Sequence, residues 1–350
     1  MADYTISLKL REIIHETDDA KTFIFETLDG STLSYKAGQF LTFLIDMHGH
    51  DVRRSYSMSS APAVDEFPAI TVKRVPNGEI SRFWIDIVKT GDIFTVLAPS
   101  GRFVLEKEDT GARDIVLIGA GSGITPLFSL LKQTLTQDTE SQATLIYASR
   151  NVRSTLFWNH IIDWQKRFPE RLRVINIHSQ PSEDWTGIQG RINNTRLEQL
   201  VKNTIRFKHE DVRFFICGPF ELMRSAGITL HFMGFRSEQI RKENFVIPCP
   251  PPPPPVSNPH RITLHFRGSS YDLLVPAHST VLDAALAEGI QLPYSCKGGR
   301  CASCAAVCTS GKLHMSVNEV LTDRDLAEGW ILTCSSYVDS DDVTIEFRQE

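Results

Sequence analysis

The sequence predicts a multidomain protein: an antiparallel β-barrel, then a parallel α/β domain, then a small α+β domain. Three observations predict this order. Short alternating apolar runs come first, continuous apolar runs that alternate with helical patterns follow, and a run of prolines separates both from the remainder. At 350 residues the chain is long enough for two or three domains.

Residues 1–107 have the pattern of a β-barrel. Runs that alternate in polarity or are rich in β-branched residues occur at Ile6–Leu10, Lys21–Glu26, Phe40–Asp46 and Ala69–Val75. Turn signals such as Pro76-Asn77-Gly78 separate them. Several short strands at regular spacing are typical of a barrel or a sandwich.

Residues 108–247 change to a pattern of buried strands and helices, which indicates a parallel α/β sheet. The predicted strands are Asp114–Ile118, Ala143–Tyr147, Leu172–Ile177 and Arg213–Cys217. The predicted helices are Pro126–Gln137, Leu156–Phe168, Arg196–Val201 and Phe220–Gly227.

Residues 248–260 read as a proline-rich linker. Pro250–Pro255 is a run of consecutive prolines, which adopts a polyproline II rod of roughly 19 Å at about 3.1 Å per residue. A proline-rich ligand for a partner domain is the alternative to this semi-rigid spacer.

Residues 261–350 form the predicted α+β domain. A hairpin joins Ile262–Phe266 to Tyr271–Val275, and a helix follows at Val281–Glu288 with Thr280 as its N-cap. Val343–Phe347 is the last predicted strand.

Four cysteines in this last domain form the most specific motif of the chain. Cys296, Cys301 and Cys304 stand at C-x4-C-x2-C spacing, and Cys334 follows further along. This is the plant-type [2Fe–2S] ligand pattern, in which loop N–H groups can point at the sulfurs. A structural zinc site is the alternative, but such sites favour two paired C-x2-C knuckles. The pattern predicts a centre that moves single electrons.

Composition limits the remaining classes of function. The chain has 41% hydrophobic and 23% charged residues, as ordinary soluble proteins do, and its net charge of −5 gives no reason to expect nucleic acid or an anionic membrane as a partner. No signal peptide and no membrane-spanning apolar run is visible, and the other cysteines show no disulfide framework. We expect a cytoplasmic protein.

A glycine-rich segment, Gly119-Ala120-Gly121-Ser122-Gly123-Ile124-Thr125-Pro126, lies between a predicted buried strand and a helix. Glycines at such a turn let the backbone approach a pyrophosphate, and the helix N-terminus supplies free N–H groups. Because Ile124 breaks the G-x-G-x-x-G spacing, an ordinary Rossmann dehydrogenase is disfavoured. A glycine turn needed only for geometry is the alternative.

The end of the second α/β strand indicates which dinucleotide is bound. Ser149, Arg150 and Arg153 occur there without any Asp or Glu. An acidic residue at this place bonds the ribose hydroxyls of NAD, whereas arginine marks the 2′-phosphate of NADP. We therefore expect NADPH, although a solvated loop would also tolerate two arginines.

Two further motifs lie in the barrel. Arg54, Tyr56 and Ser57 share one predicted strand, and an arginine beside a tyrosine suits a cofactor with a phosphate and a flat ring. Gly78 and Ser81 follow another strand and open a helix, where phosphate oxygens can meet backbone N–H groups. Two surface arginines beside a core tyrosine are the alternative to the first motif.

Taken in order, Arg54-x-Tyr56-Ser57, Gly78-x-x-Ser81, the Gly119–Pro126 segment and Cys217-Gly218-Pro219 resemble the ferredoxin–NADP reductase superfamily. The C-terminal part resembles a plant-type ferredoxin, which implies a β-grasp fold for residues 261–350. The domain order is most similar to the reductase subunit of the phenylacetyl-CoA epoxidase and, more distantly, to other oxygenase reductases.

The resemblance implies a role for each matching residue. Arg54 contacts the flavin phosphate, Tyr56 and Ser57 line the isoalloxazine ring, and Gly78 and Ser81 hold the FAD pyrophosphate. FMN members exist, but Gly78–Ser81 favours FAD. The nicotinamide nucleotide meets the residues of the two glycine-containing turns: Gly119, Gly121, Gly123, Thr125, Cys217, Gly218 and Pro219. The catalytic set is Tyr56, Ser57, Thr125 and Cys217, and Phe245 is a candidate for an aromatic residue over the flavin.

The expected function is an NADPH-dependent reductase that passes electrons through FAD and [2Fe–2S] to an oxygenase. The oxygenase that we expect as electron acceptor is the phenylacetyl-CoA epoxidase. The alternatives are another ring-hydroxylating oxygenase or a hybrid-cluster protein as acceptor, or a redox-sensing module. Lys297 and Arg300 are candidate docking charges of the cysteine loop, and solvated loop charges are the other interpretation.

Overall fold

The computed structural model describes residues 5–47, 49–106, 111–245 and 258–348. The chain divides into two compact units, Met1–Phe245 and Val246–Glu350. The predicted polyproline rod, Pro250–Pro255, lies outside the described residues.

A six-stranded antiparallel barrel opens the first unit, in the order β4-β3-β6-β1-β2-β5. Its strands are β1 (Thr5–Thr17), β2 (Ala20–Thr27), β3 (Phe40–Met47), β4 (His50–Ser57), β5 (Ala69–Lys73) and β6 (Ile93–Leu97). A bridge between Met58 and Ile70 brings the ends of the order together. Helix α1 (Glu79–Arg82) and a π-helical turn (Phe83–Ile87) connect β5 to β6.

Aromatic side chains fill the barrel. Trp84 of the π-helical turn is fully buried, and its ring stacks on Phe94 and meets Phe23 and Phe43 edge to face. Such pairs add about 0.5–1.5 kcal/mol each beyond the area that they bury. The core therefore anchors the segment that follows Gly78, one of the predicted phosphate-contacting residues, to the barrel.

The second part of this unit is a parallel sheet in the order β10-β9-β8-β7-β11-β12. Its strands are β7 (Asp114–Ala120), β8 (Gln142–Ser149), β9 (Leu172–His178), β10 (Ile188–Gln189), β11 (Val212–Cys217) and β12 (Ile240–Glu243). The helices are α2 (Ile124–Gln137), α3 (Trp158–Arg167), α4 (Asn194–Lys202) and α5 (Phe220–Phe232).

The order of this sheet has a topological switch point. From β7 the chain proceeds through β8 and β9 on one side, and then returns to place β11 and β12 on the other. In open α/β sheets, ligands bind outside the carboxyl ends of the strands at such a point. The crevice between the ends of β7 and β11 is therefore where a site is expected.

The second unit has a mixed five-stranded sheet in the order β14-β13-β19-β15-β17, and β16 pairs with β18 separately. Its strands are β13 (His260–Phe266), β14 (Ser269–Val275), β15 (Ala305–Ser310), β16 (Leu313–Met315), β17 (Trp330–Leu332), β18 (Ser336–Val338) and β19 (Thr344–Glu346). Its helices are α6 (Val281–Ala287) and α7 (Asp323–Ala327). Thr280 caps α6, as predicted, by accepting a hydrogen bond from the backbone N–H of Asp283.

The fold class is confirmed, while several bounds differ from the predictions. The strand expected at Ile6–Leu10 runs on to Thr17, and the helix expected at Phe220–Gly227 continues to Phe232. Gly227 is buried within α5, so packing outweighs its helix penalty of about 1 kcal/mol.

Candidate functional site

Three neighbouring strand ends meet at the switch point. Cys217, the last residue of β11, pairs with Gly119 of β7 on one side and with Glu243 of β12 on the other. The fold thus brings together a predicted glycine, a predicted catalytic cysteine and a carboxylate that sequence reasoning did not select.

At Gly123 the turn after β7 lies so close to the end of β11 that only glycine fits. A Cβ added to Gly123 would lie 2.2 Å from the carbonyl oxygen of Cys217, and one added to Gly119 would lie 2.6 Å from Leu127 Cδ1. Gly121 instead has a φ of +55° with open space around it. The turn is therefore packed on its inner side and accessible at Gly121, where a phosphate could approach.

The side chain of Tyr147, in β8, holds this turn in place by hydrogen bonds. Its hydroxyl donates a hydrogen bond to the carbonyl oxygen of Gly121 at 2.9 Å and accepts one from the backbone N–H of Leu156. The tyrosine is fully buried, and burial raises its pKa, so the hydroxyl stays protonated and continues to donate.

Thr125 and the Gly218–Pro219 turn flank the same crevice. The Thr125 hydroxyl donates to the carbonyl oxygen of Ser122, and the residue is 2% exposed. A Cβ on Gly218 would come within 3.1 Å of the Ala120 amide nitrogen, and Pro219 is the N-cap of α5. In this structure these residues shape the crevice with backbone, not with free polar side chains.

The barrel contributes β4. Arg54 is exposed, and its guanidinium bonds only the neighbouring carbonyl oxygen of Arg53 among the hydrogen bonds that the structure describes. Tyr56 is half-buried against Trp84, and burial raises the pKa of its phenol. An accessible cation two residues from a neutral phenol fits a cofactor with a phosphate and a flat ring.

Ser57 connects the barrel to the sheet. Its hydroxyl donates a hydrogen bond of 2.5 Å to Oε2 of Glu243. Burial raises the pKa of Glu243 to about 7, and the Ser57 hydrogen bond opposes this shift. Burial also raises the pKa of the Cys217 thiol, with the neighbouring Glu243 carboxylate adding to the effect. At neutral pH the thiol is protonated, and the carboxyl is the group that can gain or lose a proton.

The second barrel motif forms a tight loop before α1. The Ser81 hydroxyl accepts from the Val75 N–H and donates to the Gly78 carbonyl oxygen. A Cβ on Gly78 would lie 2.6 Å from that hydroxyl. Ser81 thus holds the loop, and the first-turn N–H groups of α1, which have no partner within a helix, are the donors suited to a pyrophosphate.

At the end of β8 the structure adds an acid that the sequence did not place there. Arg150 Nη2 lies 3.3 Å from Oδ2 of Asp19, which belongs to the β1–β2 turn, and Lys73 Nζ lies 3.5 Å from the same oxygen. Ser149 is half-buried and shares a hydrogen bond with Thr155, whereas Arg153 is exposed. Arg150 and Arg153 remain accessible to an anion.

The four cysteines come together in the second unit. Cys296 lies within hydrogen-bonding reach of Cys301 and Cys334, and Cys304 lies within reach of Cys334. Among the described residues no three or more His, Cys, Asp or Glu side chains are arranged for a single metal ion. The contacts instead join all four thiols in one chain, Cys301 to Cys296, Cys296 to Cys334 and Cys334 to Cys304, which fits a four-thiolate [2Fe–2S] centre.

The backbone of the cysteine loop also fits a cluster. The N–H groups of Gly298 and Gly299 donate to the sulfurs of Cys296 and Cys334, both at 3.4 Å. Lys297 and Ala302 have positive φ angles of 49° and 58°, a conformation that costs a non-glycine residue about 1–3 kcal/mol and persists only where surroundings enforce it. Lys297 directly precedes Gly298, so its backbone conformation helps to set the direction of the N–H group that meets the Cys296 sulfur.

One of the two predicted docking charges is not on the surface. Arg300 is 8% exposed, donates to the Gly298 carbonyl oxygen and to Glu319, and so is a buried part of the loop. Lys297 is exposed, paired with Asp283 at 3.2 Å, and remains a candidate. Phe245 has 44% of its surface exposed, two residues after Glu243, and its predicted place over a flavin stays a prediction.

Sequence reasoning missed Glu243, Asp19 and Tyr147 because each acts through long-range contacts. Glu243 stands in the polar run Arg241-Lys242-Glu243-Asn244, which resembles a surface segment. Tyr147 has the pattern of an ordinary strand residue. For Glu243 no local signal was available, because the strand that ends in it has the polarity of a surface segment.

Three family models match the chain in the expected order. They are an oxidoreductase FAD-binding domain at residues 7–105, an oxidoreductase NAD-binding domain at 117–227 and a 2Fe-2S iron-sulfur cluster binding domain at 264–339. FAD, a pyridine nucleotide and a [2Fe–2S] cluster are therefore the cofactors of this chain.

Two curated relatives match nearly end to end. The chain is 33% identical to the ferredoxin reductase component of 3-ketosteroid-9-alpha-monooxygenase from Mycobacterium tuberculosis, covering 100% of this chain and 98% of that protein. It is 32% identical to one of the subunits of 1,2-phenylacetyl-CoA epoxidase from Escherichia coli, covering 97% of both.

A solved structure has the same architecture. Phthalate dioxygenase reductase superposes with a TM-score of 0.60 at 23% identity, covering 98% of each chain. At this identity the match supports the fold alone. Within the part of the chain that the structure describes, no helix has both the length and the apolar character needed to cross a membrane.

Proposed function

Because this chain belongs to the family of FAD- and [2Fe–2S]-containing reductase components of oxygenases, we propose that it carries electrons from NADPH through FAD and the cluster to a separate oxygenase. The observation that carries this proposal is the meeting of Gly119, Cys217 and Glu243 with Ser57 of the barrel. The crevice at the ends of β7 and β11 would then bind both the nucleotide and the flavin, and the four cysteines of the second unit would bind the cluster.

The proposed binding roles follow from the donors. Arg54 would neutralise a flavin phosphate, with the first-turn N–H groups after Gly78 on the pyrophosphate, and Tyr56 and Ser57 would face the ring. Gly121 and Gly123, with the Cys217–Pro219 turn, would receive the nicotinamide nucleotide. The bound FAD would supply hydride acceptance and one-electron release, and Cys296, Cys301, Cys304 and Cys334 would hold the cluster that supplies a one-electron carrier.

Glu243 supplies the proton chemistry in this proposal. Its pKa of about 7 lets it hold or release a proton at neutral pH. The Ser57 hydroxyl joins the carboxyl to the face where Tyr56 would contact the ring, so that a proton can pass without exposing the crevice to water.

The proposed preference for NADPH depends on whether Arg150 binds a 2′-phosphate more strongly than it binds Asp19. Arg150 has 58% of its side chain exposed in its ion pair with Asp19, and such surface pairs are worth about 0–1 kcal/mol. A charged hydrogen bond to a 2′-phosphate is worth about 1.5–3 kcal/mol. The phosphate would therefore displace Asp19 from Arg150.

The phenylacetyl-CoA epoxidase is the proposed acceptor, supported by the match to the Escherichia coli protein and by the shared domain order. The match to the ketosteroid monooxygenase component is equally extensive, so a reconstitution must compare acceptors. Purified reductase, NADPH and oxygen are combined with each oxygenase in turn, and product is measured.

Epoxide formed with the epoxidase at a rate well above that with other oxygenases supports the assignment. Product only with another oxygenase contradicts the choice of acceptor and leaves the reductase function standing. A redox-sensing module, in contrast, would show little sustained NADPH-driven reduction of cytochrome c.

A further inference from the structure

Arg300 of the cysteine loop is the buried partner in an ion pair with Glu319, and none of the proposed ligand roles uses this pair. Arg300 lies between two proposed ligands, immediately before Cys301, and its side chain is 8% exposed, whereas that of Glu319 is 32% exposed. The guanidinium Nη2 donates to Glu319 Oε1 at 2.8 Å, and Nη1 donates to the Gly298 carbonyl oxygen at 3.0 Å. Burying a charge costs free energy unless it serves an arrangement that compensates it.

The surroundings of the pair show what it holds. Glu319 donates its backbone N–H to the Gly299 carbonyl oxygen, and a Cβ on Gly299 would lie 2.5 Å from the Val317 carbonyl oxygen. The Arg300 side chain therefore fastens the 298–300 backbone against the 317–319 segment. That stretch includes the two N–H groups that donate to Cys296 and Cys334.

The charges of the pair are not screened equally. Arg300 is the more deeply buried partner, and its Nε has no hydrogen-bond partner among the described residues. A buried charge acts at a lower effective dielectric than one that faces water. The pair should therefore act on its neighbourhood as a partly uncompensated positive charge.

We propose that the Arg300–Glu319 ion pair sets the reduction potential of the cluster, with Arg300 raising it and Glu319 lowering it. Reduction adds one electron, and hence one negative charge, to the four-thiolate centre without making or breaking a bond to the protein. A buried positive charge beside Cys301 stabilises the reduced form, and a carboxylate opposes this. The inference rests on the proposed ligand set of Cys296, Cys301, Cys304 and Cys334.

The test is a charge series measured by redox titration of the cluster EPR signal in the full-length protein. Arg300→Met leaves a net negative charge at positions 300 and 319, whereas Glu319→Gln leaves a net positive charge there. The double variant leaves no charge at either position. We expect the midpoint potential to fall in the order Glu319→Gln, wild type, double variant, Arg300→Met, with the double variant close to the wild type. Arg300→Met should shift the one-electron equilibrium at least tenfold, which is 59 mV.

Lys297→Met is the matched control, because it removes an exposed cation from the same loop. Water screens that charge, so its potential should stay near the wild-type value. A merely structural role of the pair would not order the potentials by charge. If Arg300→Met loses its iron, Glu319→Gln decides alone: a higher potential supports the proposal and an unchanged one overturns it.

Wild-type protein without iron and sulfide would overturn the ligand set and this inference together. A wild-type cluster whose potential does not follow the charge series overturns only the inference. The two failures are thus distinguishable by iron analysis before any titration.

Discussion

At Glu243, burial and a hydrogen bond act on one carboxyl in opposite directions. Burial dominates, so the pKa rises to about 7 from an ordinary value of 4.5. Between these values the folded protein binds more protons than the unfolded chain, and stability must fall as pH rises through this window. The difference in pKa corresponds to about 3 kcal/mol.

Glu243→Gln should remove this dependence, because glutamine keeps an acceptor for the Ser57 hydroxyl without ionising. The free energy of unfolding, measured in urea at several pH values between about 5 and 8, should decline more for wild type than for the variant, by about 3 kcal/mol. Glu198→Gln, a surface glutamate paired with Lys202, is the control. Parallel pH curves for wild type and Glu243→Gln would contradict the raised pKa.

The second prediction for a single residue concerns Arg150. Arg150→Ala should raise KM for NADPH roughly tenfold to a hundredfold, the equivalent of one charged hydrogen bond, while KM for NADH changes little. Asp19→Asn should lower KM for NADPH by up to about fivefold, since it removes the competing carboxylate. Arg324→Ala, which removes an equally exposed arginine from the other unit, should change neither constant. Equal effects of Arg150→Ala on both nucleotides would count against the phosphate contact.

Among the elements, the turn between β7 and α2 is the most tightly constrained. Gly123→Ala would force a Cβ onto the Cys217 carbonyl oxygen, a backbone atom that cannot move without shifting β11. We expect at least a tenfold rise in the Kd for NADPH and a loss of about 1–3 kcal/mol in stability. Gly111→Ala, where a Cβ meets nothing within 4 Å, is the control and should change stability by less than about 0.5 kcal/mol. Wild-type nucleotide affinity in Gly123→Ala would refute the packing argument.

A strand or turn could be predicted from the sequence when its pattern of residues is local. The β7 strand and the glycine turn after it were predicted because a continuous apolar run and a glycine cluster are local patterns. The full length of β1 was missed, since register shifts after Leu10 and His15 break its alternation. The β12 strand was missed because Arg241 and Lys242 give it the polarity of a surface segment, although Glu243 at its end is buried. Only the pairing of strands brings that carboxylate to Ser57.

For the whole molecule, two compact units imply that flavin and cluster chemistry are separable. The order of the domains was readable from motifs, because each cofactor demands a local pattern. The identity of the electron-accepting oxygenase could not be predicted from the sequence, because weak redox encounters bury little area and leave no motif.

The most direct test of the central claim is anaerobic reduction of Cys301→Ser beside wild type. NADPH should bleach the flavin absorbance in both proteins, since the variant leaves the first unit intact. The EPR signal of a reduced [2Fe–2S] centre should appear only in wild type, and NADPH-driven transfer to ferricyanide, which can draw on the flavin, should survive in the variant while transfer to an oxygenase is lost. An intact cluster signal in Cys301→Ser, or oxygenase turnover at the wild-type rate without it, would contradict a path from NADPH through FAD and the cluster.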